Sequence, residues 1–352
     1  MGAMTHALPI LDTGPQRPSY AQGPRSLASV KLLRLSVTDR CNLRCVYCMP
    51  EDGVTFYDRK DLLTTKQIVA VAQAARSIGV THFKVTGGEP TVRGDLVRIV
   101  EGIKALDPDD LSMTTNGVLL PKLAKPLRQA GLDRLTISWD SLRADTFNRI
   151  TGNRGYSLDD LHRGIQAAQD AGFTRLKFNV VVIGGMNDSE VADFAKLTLD
   201  KPWTVRFIEY MPLGDSKLLV DGLDTANLYT VDNALVASRI EDELGPLTPA
   251  DRGEEPGVGP ANVFTLPGAL GRVGFISAMS QPFCETCNRL RLTATGHLRA
   301  CLFDGGEVDT LPALISPTAD SQQIVELMAQ CVLEKPETHS GRGNRPMSQL
   351  GG

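Results

Sequence analysis

The sequence predicts an α/β fold: an incomplete parallel (β/α)6 barrel, open on one side, with a smaller C-terminal appendage. Three observations carry this. From about residue 29, short β-rich runs alternate with amphipathic helical stretches. Each run passes directly into polar or glycine-rich sequence, and the carboxyl ends of strands are where parallel barrels gather their functional groups. Several runs are also polar along one face, which a parallel sheet packed on both sides would not be.

The first strand, Val30–Thr38, sets Leu33, Leu35 and Val37 on one face and Arg34, Ser36 and Thr38 on the other, then enters a cysteine-rich loop. A helix over Thr65–Ile78 leads to the second strand, Thr81–Thr86, with His82, Lys84 and Thr86 on its polar face and Gly87-Gly88-Glu89-Pro90 after it. Leu96–Leu106 reads as helix and Leu111–Thr115 as the third strand, followed by Asn116-Gly117. The fourth strand, Arg134–Ser138, runs on to Asp140-Ser141. A helix over Leu158–Ala171 precedes the fifth, Arg175–Ile183, whose polar face holds Lys177 and Asn179 and which ends at Gly184-Gly185. Ser189–Thr198 is helical, and the sixth strand, Thr204–Tyr210, runs out at Met211-Pro212-Leu213-Gly214. Arg206 and Met211 differ in strand parity, so both face inward only if the chain leaves the strand near Pro212. A single inward lysine would as readily snorkel to solvent. Agreement among three strands instead implies a hollow, wet interior that holds a polar ligand.

Beyond residue 214 the rhythm changes. Leu219–Leu244 is helical in parts, and Gly245–Pro260, rich in Pro, Gly and acid, reads as a mobile loop. Short β-like runs at Val263–Leu266, Arg272–Ser277, Leu290–Thr293 and His297–Cys301 follow.

Composition bounds the partners. With 42% hydrophobic and 22% charged residues the chain is an ordinary globular protein, and no apolar run reaches the ~18 residues that span a bilayer. A net charge of −4 argues against nucleic acid or an anionic membrane as the main partner, so an anion site needs local convergence of basic residues. Residues 1–28 lack the apolar centre of a secretory signal and read as a disordered leader; Arg17 and Arg25 alone are weak grounds for a mitochondrial transit segment. The seven cysteines fall as Cys41/Cys45/Cys48, Cys284/Cys287/Cys301 and a lone Cys331. That clustering favours metal ligation in a reducing cytoplasm over disulfides, with Cys331 an inert core thiol.

The first group has the spacing Cys41-x3-Cys45-x2-Cys48, with Tyr47 before the last cysteine. Three thiolates leave one iron of a four-iron cluster without a protein ligand, open to another molecule. Structural zinc, which takes four closed ligands, is the plainer alternative. Gly87-Gly88-Glu89-Pro90 is by itself a turn, although its glycines allow close backbone approach and Glu89 suits an ammonium group. The second group, Cys284-x2-Cys287-x13-Cys301, is again three thiols, with His297 a possible fourth zinc ligand. Directly after Cys287, an extended Asn288-Arg289-Leu290-Arg291 points both arginines to one side, an arrangement suited to polyphosphate unless it is a solvated stripe.

These motifs occur in order with Thr114-Thr115-Asn116-Gly117, Ser138-Trp139-Asp140-Ser141-Leu142, Arg206-Phe207-Ile208-Glu209 and a terminal Gly351-Gly352. Together they resemble the GTP 3′,8-cyclase family of the radical S-adenosylmethionine (SAM) superfamily, over residues 30 to 352. The resemblance implies a radical SAM partial barrel (29–214), a region carrying a second cluster (215–340) and a Gly-Gly tail (341–352). It implies two [4Fe-4S] clusters: one on Cys41, Cys45 and Cys48, whose open iron binds SAM, and one on Cys284, Cys287 and Cys301, whose open iron binds guanine. Tyr47, Gly88, Ser138 and Met211 are then SAM contacts, and Arg34, Lys84, Thr114, Lys177, Arg289, Leu290 and Arg291 contact GTP. Arg34, Arg289, Arg291, Gly351 and Gly352 are the implied catalytic residues, with the tail entering between the clusters. The implied activity is that of a radical SAM lyase, converting GTP to (8S)-3′,8-cyclo-7,8-dihydroguanosine 5′-triphosphate in the first step of molybdopterin (molybdenum cofactor) biosynthesis. An external electron donor, a downstream cyclic pyranopterin monophosphate synthase and a homodimer complete the expectation. Lys84 stands where the family usually has Arg, and His82 where some members have Lys. The competing reading is a radical SAM peptide- or protein-modifying enzyme with an auxiliary cluster, which needs neither the arginine pair nor the Gly-Gly end.

Overall fold

Strand β1 (Leu32–Ser36) is the centre of assembly, because it pairs in parallel with a strand close to it in sequence and with another from near the end of the chain. The computed structural model of the protein describes residues 23–49, 54–214, 218, 229–250, 257–304, 306–315, 319–343 and 345–351. Most of the expected leader, Asp251–Pro256 of the expected loop, much of Leu219–Leu244 and Gly352 lie outside the described residues.

The six barrel strands are β1, β2 (His82–Thr86), β3 (Asp110–Thr115), β4 (Arg134–Ser138), β5 (Lys177–Val182) and β6 (Thr204–Glu209), each within a few residues of its expected limits. Helices α1 (Thr65–Ser77), α2 (Leu96–Lys104), α3 (Leu120–Gln129), α4 (Ala144–Thr151), α5 (Leu158–Asp170) and α6 (Val191–Asp200) alternate with them. Two begin with reciprocal capping boxes, Thr64 with Gln67 and Ser157 with Asp160, which satisfy amide donors that the first helical turn cannot. Helix α3 is hidden from a periodicity reading by Pro126 inside it.

The remaining elements are α7 (Asn233–Leu244), β7 (Thr248–Pro249), β8 (Asn262–Thr265), β9 (Arg272–Ile276), β10 (Arg289–Leu292), β11 (His297–Arg299), β12 (Val308–Asp309), α8 (Leu311–Ile315), α9 (Ser321–Leu333) and α10 (Met347–Leu350). Their strands join the barrel sheet itself, in the order β12-β11-β10-β1-β2-β3-β4-β5-β6-β9-β8-β7. β10 runs parallel beside β1 and β9 parallel beside β6, so eight parallel strands line up, with antiparallel strands at both outer edges. The appendage therefore lengthens the wall of the barrel at both ends.

One core lies between the sheet and the helices, built from residues such as Leu33, Leu35, Phe83, Val85, Met113, Phe178 and Phe207. Trp139 packs edge-on against Phe178 and Phe194. Cys331 is in this core, as expected of an inert thiol. The alternate residues of the same strands turn the other way, into a cavity.

Candidate active site: a cavity between two cysteine groups

Parity and register assemble the cavity wall. Directly paired residues share a face, and the pairings Arg299–Arg291, Arg291–Arg34 and Arg34–Lys84 set four cationic side chains in one row across adjacent strands. Arg34, Lys84, Lys177, Arg206, Arg289 and Arg291 all line a cavity of about 320 Å³. Burial, then the neighbouring cations, holds Arg34 and Lys84 well below their ordinary pKa values, and Arg291 at about 10. Thr136 accepts from Nζ of Lys84 at 3.2 Å and from Arg206 at 3.3 Å. Like charges held side by side in a cavity wall repel, so this wall is built for an anion of several charges.

Topology sets the two cysteine groups apart. Cys41, Cys45 and Cys48 follow the carboxyl end of β1. Cys284 and Cys287 precede the amino end of β10, which runs parallel to β1, and Cys301 follows the antiparallel β11, at that same amino end. One group lies at each mouth of the barrel with the cations between, and all six cysteines line the same cavity. Sequence reasoning, which puts parallel-barrel sites at the carboxyl ends, does not supply the second mouth.

The first cysteine loop is held by its stem. Amides of Arg44 and Val46 donate to the carbonyls of Thr151 and Ile150, each at 2.9 Å. Gly88 and Glu89 donate to Thr38 and Arg40 at 2.6 and 2.8 Å. A Cβ on Gly87 would lie 2.6 Å from the Thr38 carbonyl, and one on Gly88 would overlap the carbonyls of Asp39 and Arg40. The close approach that these glycines permit is thus to the chain's own cysteine-loop stem. Glu89, buried, accepts from Thr91, Thr115 and Asn116, tying the loops after β2 and β3 together while still lining the cavity. Tyr47 donates its hydroxyl to Oδ2 of Asp140 at 2.8 Å, and Oδ1 accepts from the Val181 amide at 2.9 Å. Asp140 is a cavity residue without a role in the sequence reading. Its signal was the position just after a strand end.

Cys287 has electrostatic surroundings opposite to those of the first group, whereas burial raises Cys284 as it raises the first group. Burial pushes the Cys41 and Cys48 thiols up to about 12, with Glu89 adding to the first and Cys41 to the second. Such thiols become thiolates beside a strong positive charge, which bound iron supplies. Burial would also raise Cys287, but Arg289 and Lys335 outweigh it and bring that thiol to about 6. Among the described residues no three His, Cys, Asp or Glu side chains are placed to hold a single metal ion. Three thiols facing one cavity, twice, suit a cluster that bridges them. His297, the possible zinc ligand, meets Thr295 at 3.2 Å and is not among the cavity-lining residues.

Tyr47, Gly88, Thr114, Ser138 and Met211 also line the cavity. The parity conflict of Arg206 and Met211 resolves because β6 ends at Glu209, whose buried carboxylate accepts from Asn233, Met279 and Ser280. Leu290, also named as a GTP contact, turns its side chain away from the cavity. On β10 it alternates with Arg289 and Arg291, packs, 1% exposed, in the hydrophobic core and is not among the cavity-lining residues.

The tail reaches the cavity. At the exit of β6 the Gly214 amide donates to the Gly343 carbonyl and the Gly343 amide to that of Pro212, and α10 then makes a single turn whose Met347 and Ser348 line the cavity. Gly351 caps that turn at φ +73°, and its carbonyl accepts from Arg291 and Arg34.

A partial parallel barrel with a Cys-x3-Cys-x2-Cys loop at one mouth defines a radical SAM enzyme. Residues 35–198 match the Radical SAM superfamily, and residues 203–341 match Molybdenum Cofactor Synthesis C. The chain belongs to the GTP 3′,8-cyclase family: it is 46% identical over 330 residues to GTP 3′,8-cyclase of Pelotomaculum thermopropionicum, covering 92% of this chain and 98% of that protein. It is 46% identical over 336 residues to the same enzyme of Microcystis aeruginosa, covering 92% and 99%. Streptococcus suis SuiB bound to S-adenosylmethionine shares the fold, with a TM-score of 0.57 at 13% identity over 91% of this chain and 77% of that one.

Proposed function

We propose that the cavity converts GTP and SAM to (8S)-3′,8-cyclo-7,8-dihydroguanosine 5′-triphosphate, and that the residues named from the sequence divide that task by mouth of the barrel. The observation that carries this is the cationic row held between two cysteine groups on one cavity. Cys41, Cys45 and Cys48 hold one [4Fe-4S] cluster, and Cys284, Cys287 and Cys301 the other. When bound, the clusters and SAM supply the radical chemistry at the ribose 3′ carbon, together with a site for guanine.

The chain's own residues bind, orient and shield. Arg34, Lys84, Lys177, Arg289 and Arg291 offset the triphosphate charge, with Thr114 and the Leu290 backbone as neutral contacts. Phe283 supports Arg289, whose guanidinium lies 4.8 Å over the ring. Tyr47, Gly88, Ser138 and Met211 cradle SAM, Tyr47 being fixed through Asp140. Residues 29–214 contribute the SAM end, 215–340 the guanine end, and the tail from 341 shuts water out between them. An external electron donor, a downstream cyclic pyranopterin monophosphate synthase, a homodimeric state and the cytoplasm are the setting of this reading. Among the described residues no helix is long and apolar enough to cross a membrane.

Anaerobic reconstitution tests the proposal. Iron and sulfide analysis is expected to give about eight irons per chain, with GTP consumed and the cyclised nucleotide formed. Replacing Cys41, Cys45 and Cys48 together removes about half the iron and all SAM cleavage. Stoichiometric zinc without iron would sink the reading, and SAM cleavage without GTP turnover would favour the peptide-modifying alternative.

A further inference from the structure

Lys335 lies just past the end of α9 and is 3% exposed. Its ammonium donates to the carbonyl oxygen of Cys287 at 2.9 Å. A buried ammonium ordinarily faces a carboxylate, because desolvating a charge is costly unless an opposite charge replaces the water. Among the described residues no carboxylate is within ion-pair distance of this one. Burial works against its charge and lowers its pKa, as does Arg289; the groups that favour the charge are the sulfurs of Cys287, Cys301 and Cys331. Cys331 belongs to the apolar core. The counter-charge is therefore to be sought at Cys287 and Cys301.

The backbone around Lys335 is fixed independently. Its amide donates to Val332 at 3.2 Å, and its carbonyl accepts from Nε of Arg25 at 2.8 Å. The described start of the chain thus clamps the loop that delivers the ammonium. The second cysteine group is braced on that side too, since the Asn288 carbonyl accepts from the amides of Lys31 and Leu32.

We propose that Lys335 is the positioning and charge-balancing residue of the second cysteine group, its ammonium offsetting the negative charge of the thiolate-bound cluster and so easing that cluster's reduction. This rests on the reading that Cys284, Cys287 and Cys301 hold a cluster. A positive charge held in a low-dielectric wall stabilises whichever state carries more negative charge, and that is the reduced one.

Two variants separate charge from hydrogen bonding in the full-length, reconstituted protein. Lys335→Gln keeps a donor for the Cys287 carbonyl and removes the charge; Lys335→Arg keeps both. Iron and sulfide are counted first, in the unsubstituted protein. If that protein holds only one cluster, the cluster reading fails, whatever the role of Lys335. A redox titration followed by electron paramagnetic resonance, using the signal that GTP perturbs, then reads the second cluster. Lys335→Gln is expected to lower the equilibrium constant for its reduction roughly tenfold, about 59 mV for a one-electron couple, while Lys335→Arg and the first cluster stay unchanged. A midpoint for Lys335→Gln equal to that of the unsubstituted protein would overturn the proposal and leave Lys335 a backbone strut. Should Lys335→Gln fail to assemble the second cluster, success with Lys335→Arg supports the charge role, and failure of both overturns it in favour of packing.

Discussion

The carbonyl oxygen of Gly351 accepts a hydrogen bond from Nη1 of Arg291 at 3.0 Å, joining the tail to the arginine strand inside the barrel. Nε of Arg34 reaches the same oxygen at 3.4 Å. Two arginines read as substrate-binding are thus also the anchor of the tail, so tail and substrate act on shared groups.

Gly351→Ala is expected to abolish cyclisation while both clusters remain. At φ +73° an alanine is strained, and its Cβ would lie 2.8 Å from both Ser36 Cβ and Thr86 Oγ1, on two strands that do not move aside. Iron content together with chromatography of the nucleotide product checks this. Cyclisation at the unsubstituted rate would reduce the tail to a frayed end.

Arg289→Ala and Arg291→Ala should each weaken GTP binding by about 1.5–3 kcal/mol, the worth of a charge-assisted hydrogen bond, and weaken guanosine binding far less. Calorimetric titration of both ligands into the anaerobic protein decides it. Equal losses would mean that the arginines serve the fold around Cys287.

Lys84→Met should make the ligand-free protein more stable and GTP binding weaker. Lys84 is half-buried in register with Arg34 and is repelled by Arg206, Arg34, Arg134 and Lys177, so an apolar chain of similar length relieves like-charge repulsion worth about 1 kcal/mol. Melting curves with and without GTP measure both effects. A lower ligand-free Tm would show that the row is not strained.

Asp95 gives a pH signature remote from the cysteines. Hydrogen bonds from Arg93 and Thr65, against a burial effect that opposes them, bring its carboxyl down to about 2 from an ordinary 3.8. A depressed folded-state pKa contributes stability above the unfolded value, and this is lost as pH falls from 3.8 through about 2. Asp95→Asn should therefore cost up to about 1 kcal/mol at neutral pH, given its solvent exposure, and nothing below pH 2. Denaturant midpoints across that range test it. A cost independent of pH would assign the loss to packing.

Much of the barrel was legible because strand parity is a local property. Alternation alone put Arg34, Lys84 and Lys177 on one face, and the cysteine spacing picked out the two groups of thiols that line one cavity. Leu290 was named from its place within a motif, against its own parity, and its side chain is in the core. Gly87 and Gly88 were read toward a ligand because sequence does not reveal that the backbone they meet belongs to Thr38–Arg40. Lys335 carried no signal at all, being one lysine in a loop whose meaning comes from a carbonyl 48 positions away. The placement of β9 and β10 on opposite edges is a long-range pairing choice, beyond any local pattern.

That pairing has a consequence for biosynthesis. The edge of β1 finds its partner β10 only after some 250 further residues have been made, about 10–50 s at ordinary rates of translation. Until then the Leu32–Ser36 edge offers unpaired amides and carbonyls to any other nascent chain, and the edge of β6 waits likewise for β9. A gene fragment ending at residue 214 would leave both edges open for good. Such a fragment, although it contains every residue of the first cysteine loop, should collect as aggregate, and the full chain should depend on protection at the ribosome until its last strands arrive.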